Sequence, residues 1–266
     1  MAARGRGHRA RLADGQHFLR SPRLAAEVVA AAGVARSELV VEVGAGTGRL
    51  TAPLADAAGR VVAIELDPRL AEGLRRRFAG HPRVAVVEGD ALVVPFPEEP
   101  HRVAGNVPFN ITTALLRSVL DDPGSPCFAA DLIVQDGLAR KRCAMRPCTM
   151  LSLSWLPWWR LSVERLLPAG CFEPRPSVDA ALLTARRREP ALLPVESAGA
   201  YRALLRRAFD RADRPVRHTA APGGAAWKRL ARDRGLAYEA RPRQLDVWDW
   251  VALFEARASA AYSSPS

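Results

Sequence analysis

Short valine-rich runs alternate with helical segments along most of this sequence, and this alternation restricts the possible folds more than any other feature. Most of the runs are followed by a segment with the apolar spacing of a helix, which predicts an α/β protein with a mostly parallel sheet and helices on both faces. The last two runs have no helix between them, so the sheet is expected to end in an antiparallel hairpin. The seven runs are "ELVVEVG", "RVVAIELD", "RVAVVEGD", "HRVAGN", "FAADLIVQ", "RLSVERLLP" and "DAALLTARR".

The pattern changes near Glu189–Pro194, beyond which only helix-like segments follow. This change predicts a boundary between a large sheet domain and a small all-helical domain, a division that suits a chain of 266 residues. Trp248 and Trp250 are expected to pack the last helix. The predicted divisions are a basic N-terminal arm at 1–20, the sheet domain at 21–190, the helical domain at 191–257 and a disordered tail at 258–266.

The positive charge of the chain is concentrated at its two ends. The formal net charge is +11, with +5 in residues 1–23, +7 in residues 186–266 and −1 between them. A preference for arginine codons would explain why Arg outnumbers Lys, but it would not confine the excess to the ends. Basic flanks on a neutral body favour nucleic-acid binding. The candidate RNA contacts are Arg4, Arg6, Arg9, Arg11, Arg140, Lys141 and Arg142, although the last three could equally form a solvated helix face.

The sequence gives no sign of a membrane or a metal partner. Its basic N-terminus has no apolar stretch behind it, and no apolar run approaches the roughly 20 residues that span a bilayer. The four cysteines form no Cys-x-x-Cys pair, and we expect no metal site. A cytoplasmic, monomeric protein is the expectation.

The segment "VVEVGAGTGRL" places Gly44, Gly46 and Gly48 on the turn between the first strand and its helix. Glycines at such a turn let the backbone approach a ligand closely, and a dinucleotide site is the obvious alternative. Glu65 ends the second strand, where it can accept hydrogen bonds from ribose hydroxyls, and Asp90 ends the third, where it can accept from an adenine amino group. The three strand ends together favour an adenosyl ligand.

A fourth strand end carries "GNVPFNITT" (Gly105–Thr113). Taken alone, this stretch is as typical of an ordinary turn as of a functional site. Together with the earlier strand ends, it resembles the ribosomal RNA adenine N6-methyltransferases, which include the Erm antibiotic-resistance enzymes and the small-subunit dimethyltransferases. The matching blocks follow the order and spacing of the family along almost the whole chain: "GQHFL", "EVGAGTG", "AIELD", "EGDAL", "GNVPFNIT", "IVQDGLARK", "CFEPRPSVDAAL" and "PRQLDVWDWVALF".

The resemblance implies a class I (Rossmann-like) methyltransferase fold and S-adenosylmethionine as the cofactor. It implies that Gly44 lies beside the methionine part, Glu65 at the ribose, Asp90 at the adenine and Asn106 near the transferred methyl group. The N-terminal segment with His17 and Leu19 would close over the cofactor, although His17 stands where the family has Asn. The full implied cofactor set is His17, Leu19, Glu42, Gly44, Gly46, Glu65, Asp90, Ala91 and Asn106.

The chemistry of adenine explains the catalytic set Asn106, Val107, Pro108 and Phe109. The lone pair of the exocyclic nitrogen is delocalised into the ring, so acceptors on its N–H groups, the Asn106 side-chain oxygen and the Val107 carbonyl, would favour a pyramidal, nucleophilic nitrogen. Pro108 would stiffen the turn. Phe109, where the family has Tyr more often, offers a ring on which an extruded base can stack.

Three functions remain open at this point. The resemblance of "NVPFNITT" to the Erm block "NIPYNIST" favours methylation of one adenine of 23S ribosomal RNA, with resistance to macrolides, lincosamides and streptogramin B. The alternatives are the housekeeping 16S dimethyltransferase and a non-catalytic RNA-binding factor on the same scaffold. The intact set of Gly44, Glu65, Asp90 and Asn106 speaks against the last.

Overall fold

A computed structural model of the chain describes residues 17–262, with side chains described through Ser259. The candidate RNA contacts Arg4, Arg6, Arg9 and Arg11 lie outside the described residues, as does most of the predicted N-terminal arm. None of the helices within the described part is both long and apolar enough to cross a membrane.

The strands of the described residues position the site. In chain order they are β1 (Phe18–Leu19), β2 (Leu39–Val43), β3 (Arg60–Glu65), β4 (Val84–Glu88), β5 (His101–Asn106), β6 (Cys127–Gln135), β7 (Trp159–Leu167), β8 (Phe172–Glu173) and β9 (Ala180–Arg187). Seven of them form one sheet in the order β4-β3-β2-β5-β6-β9-β7. The pairs from β4 to β6 are parallel, and β9 runs antiparallel to β6. The predicted seven-stranded, mostly parallel sheet is confirmed.

The helices of the described residues are α1 (Pro22–Ala32), α2 (Thr51–Ala57), α3 (Pro68–Arg77), α4 (Thr112–Leu120), α5 (Asp136–Cys143), α6 (Met150–Leu153), α7 (Ala198–Phe209), α8 (Val216–Thr219), α9 (Gly224–Asp233) and α10 (Val247–Tyr262). Two of them begin where local sequence signals predict. The Ser21 hydroxyl accepts from the Leu24 N–H at the start of α1, and the Asp67 carboxylate accepts from Arg69 and Leu70 at the start of α3.

The strand β2 lies at the centre of the first half of the sheet, between β3 and β5. All five of its residues are buried, as expected for a parallel strand that is covered on both faces. The chain reverses direction after it at the glycine turn. The N–H groups of Gly44 and Ala45 both donate to the Ile64 carbonyl, at 2.9 and 3.1 Å, which holds the turn against the end of β3.

The strands β1 and β8 form a two-residue antiparallel pair outside the main sheet, with Phe18 opposite Glu173 and Leu19 opposite Phe172. Leu19 and Phe172 are buried in the main core cluster. The pair therefore ties the N-terminal segment to the loop that precedes β9. The sequence pattern did not predict this pairing, because two-residue strands carry no periodicity.

The described chain forms two compact units. The first contains the residues up to Ala139 together with Ser162–Arg186, and the second contains Arg140–Leu161 together with the residues from Arg187 onward. This grouping differs from a division at residue 190, since it places the tryptophan-rich segment before β7 in the second unit. Trp158 packs edge-to-face against Tyr201 at 5.9 Å, and its indole N–H donates to the Leu193 carbonyl at 2.9 Å.

The C-terminal region differs from expectation in two places. Residues 258–262 belong to α10, which ends at Tyr262, and the rest of the predicted tail lies outside the described residues. The alanine-rich sequence there favours a helix, which explains the extension. Trp250 is fully buried as expected, but the Trp248 side chain does not pack inward, since the residue remains 45% exposed.

Candidate active site

The carboxyl ends of β2, β3, β4 and β5 meet at one edge of the first unit and form a cleft, called here the strand-end cleft. It brings together most of the candidate cofactor residues and all four candidate catalytic residues. The predicted residues that line it are His17, Gly44, Gly46, Glu65, Asp90, Ala91, Asn106, Val107, Pro108 and Phe109. Parallel sheets bind ligands at this edge because the strands present their C-terminal turns there.

Leu19 and Glu42 do not line the cleft. The Leu19 side chain faces the core, and Glu42 lies within β2, before the turn, with only 1% of its surface exposed. The cleft is also lined by residues that sequence reasoning missed, among them Phe18, Ile64 and Leu66. Ile64 and Leu66 flank Glu65 in the sequence. Their position beside a predicted site residue is the feature from which they could have been predicted.

The glycine turn approaches the N-terminal segment closely at Gly46. Gly46 has a φ of +57°, and a Cβ atom there would lie 2.7 Å from the Phe18 ring. A side chain at this position would be strained by the backbone and would collide with Phe18. Gly46 therefore allows Phe18 to cover this part of the cleft.

Glu65 is 2% exposed, and its carboxyl oxygens are held by two backbone groups. One oxygen accepts from the Gly46 N–H at 2.7 Å and the other from the Asp67 N–H at 2.9 Å. Because each carboxylate oxygen can accept more than one hydrogen bond, both oxygens keep capacity for a ligand's hydroxyl groups. Asp90 is fixed similarly, since its Oδ1 accepts from the Leu92 N–H at 2.9 Å.

Asn106 ends β5, and its orientation is determined by one hydrogen bond. The Nδ2 atom donates to the His17 carbonyl oxygen at 2.5 Å. A carbonyl oxygen can only accept, so the amide nitrogen must face His17 and the amide oxygen must face away from it. The Val107 N–H donates to the Ile133 carbonyl at 3.1 Å, which anchors the following turn to β6.

His17 makes three contacts around the cleft. Its carbonyl accepts from Asn106, its Nδ1 donates to the Pro174 carbonyl at 2.7 Å, and its ring lies 5.7 Å from the Phe109 ring at an angle of 42°. The imidazole thus contacts the loop after β8 and the turn after β5, while the backbone contacts Asn106.

Glu42 lies beneath the cleft, and burial raises the pKa of its carboxyl from 4.5 to about 8, with the neighbouring Glu65 contributing. Its Oε2 atom has no hydrogen-bond partner within the described residues. A protonated carboxyl is the form that suits such an apolar position near neutral pH.

The raised pKa of Glu42 predicts a specific dependence of stability on pH. Between pH 4.5 and about 8 the folded protein holds a proton that the unfolded chain releases, so the free energy of unfolding falls as pH rises through this window. The slope from this group approaches about 1.4 kcal/mol per pH unit. Glu42→Gln keeps a neutral group of similar shape, and we expect its stability relative to wild type to increase across the window.

Urea denaturation at several pH values measures this difference. Glu98→Gln is the matched control, because Glu98 is exposed and should leave the pH dependence unchanged. Parallel stability curves for Glu42→Gln and wild type would show that Glu42 is not the proton-binding group.

The candidate RNA contacts on α5 have different surroundings. Arg140 and Lys141 are exposed, but Arg142 is only 8% exposed and its Nη1 donates to the Thr149 hydroxyl at 3.1 Å. The bond to Thr149 holds the Arg142 side chain against the protein rather than in solvent. Contact of Arg142 with RNA stays a prediction, and its buried side chain is the least accessible of the three. Within residues 17–262, no cluster of His, Cys, Asp and Glu side chains is arranged to hold a metal ion.

The charge of the strand-end cleft suits S-adenosylmethionine. Its lining includes the acidic side chains of Glu65 and Asp90. Carboxylates suit the ribose hydroxyls, the adenine amino group and the sulfonium cation of this molecule. The residues present therefore fit the cofactor that the resemblance implies.

Fold and site together define a Rossmann-like, S-adenosylmethionine-dependent methyltransferase. A family model described as ribosomal RNA adenine dimethylase matches residues 7–258. The chain belongs to this family of ribosomal RNA adenine N6-methyltransferases.

Individual relatives fall in two groups. The mycinamicin-resistance protein MyrB of Micromonospora griseorubida is 35% identical over 243 residues, which cover 90% of this chain and 76% of the relative. Ribosomal RNA small subunit methyltransferase A of Synechococcus sp. (strain RCC307) is 36% identical over 267 residues, which cover 93% of this chain and 96% of the relative. Among solved structures, the 23S rRNA methyltransferase ErmE superposes with a TM-score of 0.81 at 29% identity, covering 91% of this chain and 99% of that one.

Proposed function

We propose that the protein transfers a methyl group from S-adenosylmethionine to N6 of a specific adenine in 23S ribosomal RNA, and thereby confers resistance to macrolides, lincosamides and streptogramin B. The observation that carries this proposal is the likeness to ErmE across 99% of that protein's chain. The similarity to a mycinamicin-resistance protein and the Erm-like turn "NVPFNITT" add to it.

We assign the cofactor to the strand-end cleft, with the glycine turn at Gly44 beside its methionine part. Glu65 accepts hydrogen bonds from the ribose hydroxyls through the lone pairs that Gly46 and Asp67 leave free. Asp90 accepts from the adenine amino group with the oxygen that does not bond Leu92. When bound, the cofactor supplies a methyl group already activated on a positively charged sulfur.

The target adenine is held by the turn after β5. The Asn106 oxygen, which faces away from His17, accepts an N–H of the exocyclic amine and makes the nitrogen lone pair available. The Val107 carbonyl is the second acceptor, and the Phe109 ring stacks on the extruded base. Correct positioning of the nitrogen supplies most of the remaining rate enhancement.

The RNA outside the target nucleotide is bound by basic residues. Arg140 and Lys141 are exposed on α5, and the arginine-rich N-terminal residues and the helical C-terminal region add positive charge. We expect these contacts to go mostly to phosphates, which position an RNA without reading its sequence. The protein is proposed to act as a cytoplasmic monomer.

The proposed substrate is tested by methylation of purified 23S and 16S RNA in separate reactions. We expect transfer of labelled methyl groups to 23S RNA at one adenine, located by primer extension and by mass spectrometry of nuclease fragments. Asn106→Ala is the inactive control. Expression in a susceptible host should raise the macrolide concentration needed to inhibit growth.

A housekeeping role on small-subunit RNA is the second candidate. It is favoured by the 36% identity to a small-subunit methyltransferase of which 96% is covered. Methylation confined to 16S RNA would establish this candidate and exclude the first. Transfer to neither RNA, with cofactor binding intact, would contradict both.

A further inference from the structure

Trp248 differs from every other tryptophan of the protein. The chain has six tryptophans, all within the described residues, and the other five are at most 1% exposed. Trp248 is 45% exposed and lies at the start of α10 in the second unit. A half-exposed indole leaves part of a large aromatic ring accessible to a ligand.

The indole of Trp248 is paired with a guanidinium that is itself held in place. The Arg188 guanidinium carbon lies 5.5 Å from the centroid of the Trp248 ring. The Arg188 Nε donates to the Leu156 carbonyl at 2.8 Å, and the Arg188 backbone N–H donates to the Trp158 carbonyl at the same distance. Arg188 and Trp248 therefore form a rigid cation–π pair that is ordered in advance of any ligand.

A second positively charged side chain, that of Arg160, lies near Arg188. Arg160 is exposed on β7. Burial lowers the pKa of Arg188, and the nearby positive charge of Arg160 lowers it further. Two guanidiniums that repel each other are stabilised by an anion bound between them.

The acidic residues near Trp248 in the chain are already neutralised. The Asp249 carboxylate is fully buried and bonded to Arg146 and Arg234, at 2.7 and 2.8 Å. Asp246 is bonded to Arg146 at 2.9 Å. Glu189, the residue after Arg188, is exposed and offsets part of the positive charge here. The surface around Trp248 is therefore an aromatic ring beside two basic groups.

We propose that Trp248, Arg188 and Arg160 form an accessory site for single-stranded RNA, in which a nucleobase stacks on the indole and the adjoining phosphate lies between the two guanidiniums. This combination of an aromatic platform with basic groups is how single strands are bound without sequence preference. The inference rests on the proposed action on RNA, but not on which ribosomal RNA is methylated. A protein partner would favour a broader apolar patch than one half-exposed ring.

The test measures RNA affinity of the full-length protein by fluorescence anisotropy, with a labelled single-stranded oligonucleotide of mixed sequence. We expect Trp248→Ala to weaken binding by about tenfold, since one stacked base is worth that much. Arg160→Glu should weaken it to a similar extent, because it replaces a phosphate contact with a repelling charge. Trp248→Phe keeps an aromatic face and should lose much less. Arg36→Ala is the charge control, because Arg36 is exposed before β2, at the opposite end of that strand from the cleft.

Tryptophan fluorescence gives an independent readout. Because the other five indoles are buried, RNA should quench mainly Trp248, and Trp248→Phe should abolish most of that quenching. Cofactor affinity should be unchanged in all variants. If Trp248→Ala proves unstable, Arg160→Glu and the quenching decide the matter.

Unchanged affinity of both Trp248→Ala and Arg160→Glu would overturn the proposal. An equal loss with Arg36→Ala would also overturn it, because the effect would then be general charge. A change in oligomeric state on Trp248→Ala, without a change in RNA affinity, would assign the surface to protein contacts instead. None of these outcomes depends on whether 23S or 16S RNA is methylated.

Discussion

Asn106→Ala is expected to lower the rate of methyl transfer by about 10²- to 10³-fold, the usual effect of removing one group that stabilises developing charge in a transition state. The variant lacks the oxygen that is proposed to accept the N6 hydrogen. Asn106 ends β5 at the edge of the cleft, so its truncation should not disturb the core. Single-turnover transfer of labelled methyl groups to RNA measures the effect, and calorimetry with the cofactor measures binding separately.

The same turn offers a matched control and a sharper variant. Asn110 is exposed four residues further on, and Asn110→Ala should keep nearly full activity. Asn106→Asp keeps an acceptor oxygen but cannot donate to the His17 carbonyl, so it should also lose most activity. Activity above about a tenth of wild type in Asn106→Ala would contradict the proposed role, because the expected loss is larger.

Glu65→Ala is expected to weaken S-adenosylmethionine binding by about 100-fold or more. The substitution removes both proposed acceptors for the ribose hydroxyls, and hydrogen bonds to a charged group are worth about 1.5–3 kcal/mol each. It also leaves the N–H groups of Gly46 and Asp67 without their partner, which loosens the glycine turn. Isothermal titration calorimetry measures the dissociation constant.

Glu88→Gln is the control for this effect, because Glu88 ends the neighbouring strand and pairs with Glu65 in the sheet register. Glu88 bonds Arg75 at a partly exposed position, so its loss should change cofactor affinity less than about twofold. An equal loss of cofactor affinity in both variants would indicate that these strand-end residues affect binding only through the stability of the fold. Unchanged binding in Glu65→Ala would show that the cofactor is not held at this carboxyl.

The sheet and the strand-end cleft could be predicted because their signals are local and periodic. Buried strands appear in the sequence as apolar runs. A glycine turn or a carboxylate at the end of a strand occupies a fixed place in a parallel sheet. Gly44, Glu65 and Asp90 therefore follow from the order of the strands, whereas Asn106 follows from the resemblance to the family, and all four line one cleft.

Other features depend on contacts between distant parts of the chain, and the sequence pattern does not contain them. The pairing of β1 with β8 joins segments more than 150 residues apart and is too short to show a period. The inward turn of Arg142 follows from its contact with Thr149, and neither residue type indicates it. The exposure of Trp248 could not be predicted either. Trp248 and Trp250 lie two residues apart, and the sequence does not indicate which of the two rings is buried.

The hydrogen bond from the Asn106 amide nitrogen to the His17 carbonyl has a consequence for the end of the reaction. With its nitrogen occupied, the amide offers the target base only an acceptor, which can hold an amine just as long as the amine retains a hydrogen. Unmodified adenine carries two such hydrogens, the singly methylated base one and the doubly methylated base none. The number of hydrogens that the amine can donate to the turn would therefore fall with each transfer. The doubly methylated nucleotide would be released because Asn106 could no longer form a hydrogen bond to it.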